Sequence, residues 1–108
     1  MKKINELKIG GHLVTVKFYP MSEMRGDMGS SWNAHNIIQI CQDYPDSQQE
    51  ETILHEILHH CMSNLGFHYD SDRTSNAIHS EKTVESLAEA LYQVLKDNQI
   101  IFTGKIER

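Results

Sequence analysis

Apolar and polar positions alternate along the first part of the chain, on both sides of a glycine pair. The alternation covers residues 4–19 and is interrupted at Gly10-Gly11. A period of two is typical of strands with one buried face, and a Gly-Gly pair between two such runs predicts a tight β-hairpin. Pro20 is expected to end the second strand, because proline lacks the N–H that a sheet requires.

The segment that follows has turn composition first and a strand pattern afterwards. Residues 20–31 are rich in Gly, Ser and Met and show no periodicity, which indicates turns. Residues 32–41 are predicted to form a third strand, in which Ile38 and Ile40 bracket Gln39. The first half of this strand is polar, so we expect it at an edge of the sheet, with one side in water.

A helical pattern replaces the alternation after Pro45. Ser47, followed three residues later by Glu50, has the spacing of a capping box and predicts the helix start, and Gly66 is expected to end the helix. Apolar residues between these limits recur at helical spacing and are predicted to face the core, whereas His60 is predicted to point toward solvent. The apolar stripe consists of Ile53, Leu54, Ile57, Leu58, Cys61, Met62 and Leu65.

A polar connector and a second helix complete the pattern. The connector spans residues 67–79, a length that in a compact domain indicates a functional or mobile loop. Ser80 is predicted to cap the second helix, which ends near Asp97-Asn98, and residues 100–106 are predicted as a short strand. The apolar stripe of this helix is predicted to face inward and consists of Val84, Leu87, Ala88, Leu91, Val94 and Leu95.

The composition narrows the classes of protein that fit this pattern. The chain has 108 residues, which suits a single domain over residues 1–108 with one small core. A net charge of −5 and scattered Lys and Arg argue against nucleic acid as a partner. No apolar run reaches the roughly 20 residues of a membrane helix, no secretory signal is evident, and the two cysteines form no disulfide framework. We therefore expect a cytoplasmic protein without a membrane partner.

Seven histidines are many for so short a chain, and two of them belong to a motif. His55, Glu56 and His59 form the pattern H-E-x-x-H within the predicted first helix. Residues four apart lie on one face of a helix, so the two imidazoles can bind one ion while Glu56 lies beside it. Zinc peptidases use this arrangement to activate water, with the glutamate as general base. The motif predicts His55 and His59 as metal ligands and Glu56 as the catalytic base.

The motif needs a third ligand, because a catalytic zinc has three protein ligands and one open position. A metzincin would have a glycine and a histidine where this chain has Met62 and Leu65, so that class is excluded. The remaining candidates are Glu81 and Glu85, one turn apart at the start of the second helix. We favour Glu81 as the ligand, and the other carboxylate can accept a hydrogen bond from a ligand histidine. Both can also be surface glutamates that the helix dipole stabilises.

Other residues carry weaker signals. Cys41 and Cys61 are predicted to be small buried apolar residues, and Trp32 a packing or rim aromatic. Four further side chains can line a cleft or stabilise an oxyanion, although no spacing fixes their geometry. They are His35, His68, Tyr69 and His79.

Two stretches of the chain resemble the small metallopeptidases encoded by phages and prophages of Gram-positive bacteria. They are residues 52–59, T-I-L-H-E-I-L-H, and residues 81–98, E-K-T-V-E-S-L-A-E-A-L-Y-Q-V-L-K-D-N. The resemblance implies an α+β, minimal zincin-like fold of the gluzincin type, with a small three-stranded antiparallel or mixed sheet packed on the active-site helix and a second helix. It also implies a zinc ion, Glu81 as the third ligand, an edge strand that binds extended substrate, and the cytoplasm of a bacterial host.

Three interpretations follow from these features. The leading one is a zinc-dependent peptidase that hydrolyses peptide bonds, with a phage or host regulatory protein as the expected substrate. The second is a metal-binding regulatory or interaction module without turnover. The third is a metal-free domain in which the histidines occur together by chance. A site of two histidines and a carboxylate accepts several divalent ions, and their availability decides which one binds.

Overall fold

The computed structural model describes residues 5–9, 11–70 and 77–97. These residues form a mixed sheet and two helices, so the predicted α+β class is confirmed, but the sheet has four strands rather than three. The order across the sheet is β1-β2-β4-β3. The strands are β1 (Glu6–Ile9), β2 (His12–Tyr19), β3 (Gly29–Trp32) and β4 (Ile37–Cys41), and the helices are α1 (Asp46–Asn64) and α2 (Glu81–Asp97).

The predicted hairpin is confirmed. β1 and β2 pair in antiparallel register with Ile9 opposite His12, and Gly11 in the turn has a φ of 82°. Glycine suits this position because a Cβ disfavours positive φ. Alternate residues of β2, Val14 and Val16, are buried in the core between the sheet and α1.

The third predicted strand is wrong in its extent and its position. Residues 32–41 divide into the end of β3, a 3-10 turn at Asn33–His35, and β4. β4 lies inside the sheet, parallel to β2 and antiparallel to β3. The break occurs at Asn36, whose φ of 52° is incompatible with a strand. The edge strand beside β4 is β3, a Gly-Ser-Ser-Trp segment that falls mostly in the predicted turn region because it has no apolar alternation.

The start of α1 differs from the prediction, and its end agrees with it. The helix begins at Asp46 without a side-chain cap, so the predicted capping box of Ser47 and Glu50 is wrong. Gly66 follows the helix with a φ of 89°, and its N–H and that of Phe67 donate to carbonyl oxygens of the last turn. This is a Schellman motif, which favours glycine because of the positive φ.

Burial along α1 departs from the predicted apolar stripe. Ile53 is buried as predicted, whereas Leu65 is 74% exposed. His60, predicted to point toward solvent, is fully buried. Its ring nitrogens lie 3.1 Å from Ser31 Oγ and 3.4 Å from Asn36 Oδ1. The prediction failed because β3 and the turn before β4 cover this face of the helix.

α2 packs against α1 and runs antiparallel to it. Glu81 at the start of α2 contacts His59, whereas the Tyr92 hydroxyl further along α2 donates to Glu50 Oε1 near the start of α1, at 3.0 Å. The predicted cap by Ser80 is confirmed, because its Oγ accepts a hydrogen bond of 3.2 Å from a backbone N–H of the first turn.

The apolar stripe of α2 is only partly buried. Val84 and Ala88 are buried, whereas Leu87 and Leu91 are 40% and 39% exposed, against the prediction. The strand predicted at residues 100–106 lies outside the described residues, as do residues 71–76 of the connector. Within the described part of the chain, no helix combines the length and the apolar character needed to cross a membrane.

Candidate metal centre

The two histidines of the motif point toward each other from the middle of α1. His55 and His59 are one turn apart, and their ring centroids are separated by 4.9 Å. Their Nε2 atoms are separated by 3.2 Å. The helical spacing therefore brings the same ring nitrogen of both residues to one point, as the sequence predicted.

Glu81, the first residue of α2, brings a carboxylate to this point. Its Oε1 lies 2.8 Å from the Nε2 of His55, and its Oε2 lies 3.4 Å from the Nε2 of His59. In the described part of the chain, these three residues form a group that can hold a metal ion. Glu85, the alternative ligand, lines the same cleft but is not part of this group.

Burial and neighbouring groups shift the pKa values of two of these candidate ligands. Burial alone would raise the pKa of Glu81, but the hydrogen bond from Tyr69 and the two nearby histidines outweigh it and lower that pKa. Burial lowers the pKa of His59 and outweighs the opposing effect of Glu81. An ionised carboxylate beside a neutral imidazole is the form in which these side chains bind a metal.

Glu56 is a buried carboxylate beside the group. It is 6% exposed, and its Oε2 lies 4.0 Å from the Nε2 of His55. Burial, followed by the charges of Glu81 and Asp27, raises the pKa of Glu56 to about 8. A Cβ on Gly29 of β3 would lie 3.2 Å from the Glu56 Cγ, so glycine permits the edge strand to approach the helix here.

Two residues of the connector complete the surroundings, and both carried only weak signals in the sequence. His79 is 2% exposed, its Nε2 lies 2.9 Å from the Nδ1 of His59, and its Nδ1 lies 2.9 Å from the carbonyl oxygen of Phe67. The Tyr69 hydroxyl donates to Glu81 Oε2 at 2.7 Å, and burial together with this bond raises the pKa of Tyr69 to about 12. One signal in the sequence could have indicated His79, because it directly precedes Ser80, the cap of α2, and so lies close to Glu81.

The remaining candidates lie away from the group. His35 is in an exposed 3-10 turn and His68 is exposed, and neither lines the cleft. Cys41 is buried as predicted, whereas Cys61 is only partly buried where it packs against the core. Trp32 is 52% exposed at the end of β3.

The group opens into a cleft of about 790 Å³ between the edge strand and the two helices. Residues of β3 form one wall, and residues of α1 and α2 form the others. The described residues that line the cleft include no lysine or arginine. Its carboxylates beyond Glu56 and Glu81 are Asp27, Glu51, Glu85 and Glu89. The cleft is therefore strongly acidic.

No family model, curated protein or solved structure matches the chain. The resemblance to small phage metallopeptidases therefore depends on the motifs of the sequence alone. The function has to be inferred from the chemistry of the site.

Proposed function

We propose that this protein is a zinc-dependent peptidase with a minimal zincin-like fold. The observation that carries the proposal is the convergence of His55, His59 and Glu81 beside a buried Glu56 in an open cleft. A metal ligand set next to a buried carboxylate is typical of hydrolytic sites. Neither helix alone supplies this set.

The spacing of the three candidate ligands suits a zinc ion. Ligand atoms about 2.1 Å from a tetrahedral ion lie about 3.4 Å from one another. The corresponding separations are 3.2 Å between the two histidine nitrogens, and 2.8 and 3.4 Å from these nitrogens to the Glu81 oxygens. Nitrogen and carboxylate donors are also the types that zinc accepts in catalytic sites.

When bound there, zinc would act as a Lewis acid that activates water and polarises a peptide carbonyl. Beside the positive charge of the bound ion Glu56 would be ionised. It would then accept a proton from the attacking water and transfer it to the leaving amine, as a general base and then a general acid. Its carboxylate lines the cleft, and its Oε2 lies 4.0 Å from the Nε2 of His55, which supports this role. Tyr69 holds Glu81 by its hydroxyl and also lines the cleft.

The cleft favours an extended peptide without acidic side chains. β3 is an edge strand, so its outer backbone groups can pair with a peptide in the manner of an added strand. The carboxylates of the cleft repel acidic segments and attract basic ones. A regulatory protein of a phage or its host, with a neutral or basic exposed segment, is the substrate that we propose.

The variant Glu56→Gln tests the proposal, with Glu23→Gln as the control. Glu23 lies in an exposed 3-10 turn and does not line the cleft. Zinc-loaded wild-type protein and the control are expected to cut members of a peptide library, as read by mass spectrometry. Glu56→Gln should keep its zinc and lose at least about 100-fold in rate. Equal cleavage by Glu56→Gln would contradict the assigned base.

A non-catalytic metal-binding module is the second candidate. Its prediction differs at one point, since zinc-loaded wild-type protein would then cut no member of the library. In that case a partner would bind equally well to the wild type and to Glu56→Gln. The group of His55, His59 and Glu81 does not include Glu56, so metal binding by itself requires no general base.

A further inference from the structure

We propose that His79 is a positioning residue that fixes the ring tautomer of His59 and thereby prepares its Nε2 for metal binding. The inference builds on the proposed metal site but concerns a residue outside the ligand group. It follows from a chain of two hydrogen bonds, from His59 to His79 and from His79 to the backbone of the connector.

The direction of both hydrogen bonds follows from the last acceptor. The carbonyl oxygen of Phe67 can only accept, so the Nδ1 of His79, at 2.9 Å, carries the hydrogen. In a neutral ring the Nε2 of His79 is then an acceptor. Its neighbour at 2.9 Å, the Nδ1 of His59, must therefore be the donor.

This assignment leaves the Nε2 of His59 without a hydrogen, so that its lone pair points away from His79. That nitrogen faces the Nε2 of His55 and the carboxylate of Glu81. A metal requires this unprotonated nitrogen. In the opposite tautomer, His59 would present an N–H to the metal position and a lone pair to the acceptor nitrogen of His79.

His79 is held firmly enough for this role. It is 2% exposed, and its backbone oxygen accepts a hydrogen bond of 2.8 Å from the Asp70 N–H. The ring of Tyr69 lies 5.2 Å from the His79 ring and 5.2 Å from the His59 ring. Glu81 follows two residues later, so one short segment orients a ligand of α1 and supplies the ligand of α2.

The two histidines of the motif therefore differ. Among the described residues, no hydrogen-bond partner reaches the Nδ1 of His55, whereas His59 has its partner in His79. Residues that orient a metal ligand in this way commonly contribute a factor of roughly 10–100 to metal affinity. We expect such a factor from His79, and we expect its effect to pass through His59.

Three variants separate the hydrogen bond from the packing of the ring. His79→Phe keeps an aromatic ring and removes both hydrogen bonds, and His79→Ala removes ring and bonds. His79→Gln keeps an amide oxygen that can accept from His59 at about the position of the lost Nε2. The exposed His35, which lies outside the cleft, supplies the control variant His35→Phe.

The first measurement is the zinc affinity of each protein, obtained by competition with a chelator. His79→Phe and His79→Ala are expected to bind zinc roughly 10–100-fold more weakly, and His79→Gln should recover most of the loss. His35→Phe should bind as the wild type does. Wild-type affinity in a folded His79→Phe protein would overturn the proposal, as would an equal loss in the Phe and Gln variants.

The second measurement is the tautomer of His59 in zinc-free protein, read from long-range proton–nitrogen NMR spectra of the imidazole rings. The wild type and His79→Gln should show the hydrogen on Nδ1, whereas His79→Phe should show a shift toward Nε2. An unchanged tautomer in His79→Phe would refute the assigned role. This readout needs neither metal nor substrate, so it tests His79 even if the wild type binds no zinc or cuts no peptide.

Discussion

The two helices meet at one ligand group, but they are built in opposite ways. α1 buries polar residues, among them Thr52, Glu56 and His60, because the sheet, β3 and α2 surround it. α2 buries Val84 and Ala88 and leaves leucines of its apolar stripe half exposed, because α1 covers only one side of it. The comparison teaches that α1, which is covered on several sides, supplies two of the candidate ligands. The first turn of the more exposed α2 supplies the third.

The difference extends to how each ligand is held. His55 and His59 are fixed by a helix that packs on the core, so their separation follows from helical geometry. Glu81 is placed by the cap of α2 and by the hydroxyl of Tyr69. Substitution of a candidate ligand in α1 is therefore expected to remove metal binding, whereas substitutions in α2 are expected to affect either metal binding or stability, according to the residue changed.

The largest expected effect is the loss of metal in His59→Ala. With one nitrogen ligand gone, the zinc content after dialysis against a chelator should fall from about one per chain to near zero. Glu81→Gln keeps both nitrogens and should retain part of the affinity, and Glu23→Gln, which lies outside the cleft, should behave as the wild type does. Metal analysis checks the series, and a His59→Ala protein with full zinc content would contradict the site.

Next is the pH dependence of stability in the metal-free protein, which Glu56 should dominate. The pKa of Glu56 is about 8 in the folded protein, against an ordinary value of 4.5. Between these two pH values the folded protein keeps a proton on Glu56 that the unfolded chain has released. The free energy of unfolding should fall as pH rises from about 5 to about 8, by an amount on the order of 4 kcal/mol.

Glu56→Gln cannot ionise and should lack this slope, so the variant should be more stable than the wild type at the upper end of the range. Chemical unfolding of chelator-treated protein at several pH values checks the prediction, with the exposed Glu89→Gln as control. Parallel slopes for the wild type and Glu56→Gln would contradict the burial of this carboxylate.

A smaller effect is expected from Gly29→Ala, which tests how closely β3 approaches α1. The new Cβ would lie 2.6 Å from the Thr52 Cγ2, too close without a shift of strand or helix. We expect a loss of roughly 1–3 kcal/mol in the free energy of unfolding. Thr52→Ser removes that methyl group and keeps the hydroxyl bonded to the Gln48 carbonyl, so the double variant should recover part of the loss.

An effect of similar size separates the two faces of α2. Val84→Ala should cost roughly 1–3 kcal/mol of stability, because Val84 is fully buried. Leu87→Ala removes more atoms but should cost less than about 1 kcal/mol, because the side chain is half exposed. Urea unfolding midpoints measure both, and a larger loss in Leu87→Ala than in Val84→Ala would contradict the exposure of this face.

Local signals in the sequence predicted much of the fold. The hairpin followed from alternation around a glycine pair, the end of α1 from Gly66, and the start of α2 from Ser80. β3 was not predicted, because apolar and polar residues do not alternate in Gly-Ser-Ser-Trp and the strand forms by pairing with β4. The burial of His60 was not predicted, because a helical pattern does not reveal which neighbouring segments cover a polar face of the helix.

The sequence by itself determined that two imidazoles with an adjacent glutamate share one helical turn, because a spacing of four residues defines that geometry. It also limited the third ligand to two glutamates of the second helix. Only the tertiary structure decided between them, because the antiparallel packing of α1 and α2 brings Glu81 and not Glu85 into the group. Only the tertiary structure brought His79 within hydrogen-bond distance of His59 and buried Glu56 against Gly29. These contacts join segments that are distant in the sequence, so no local pattern indicates them.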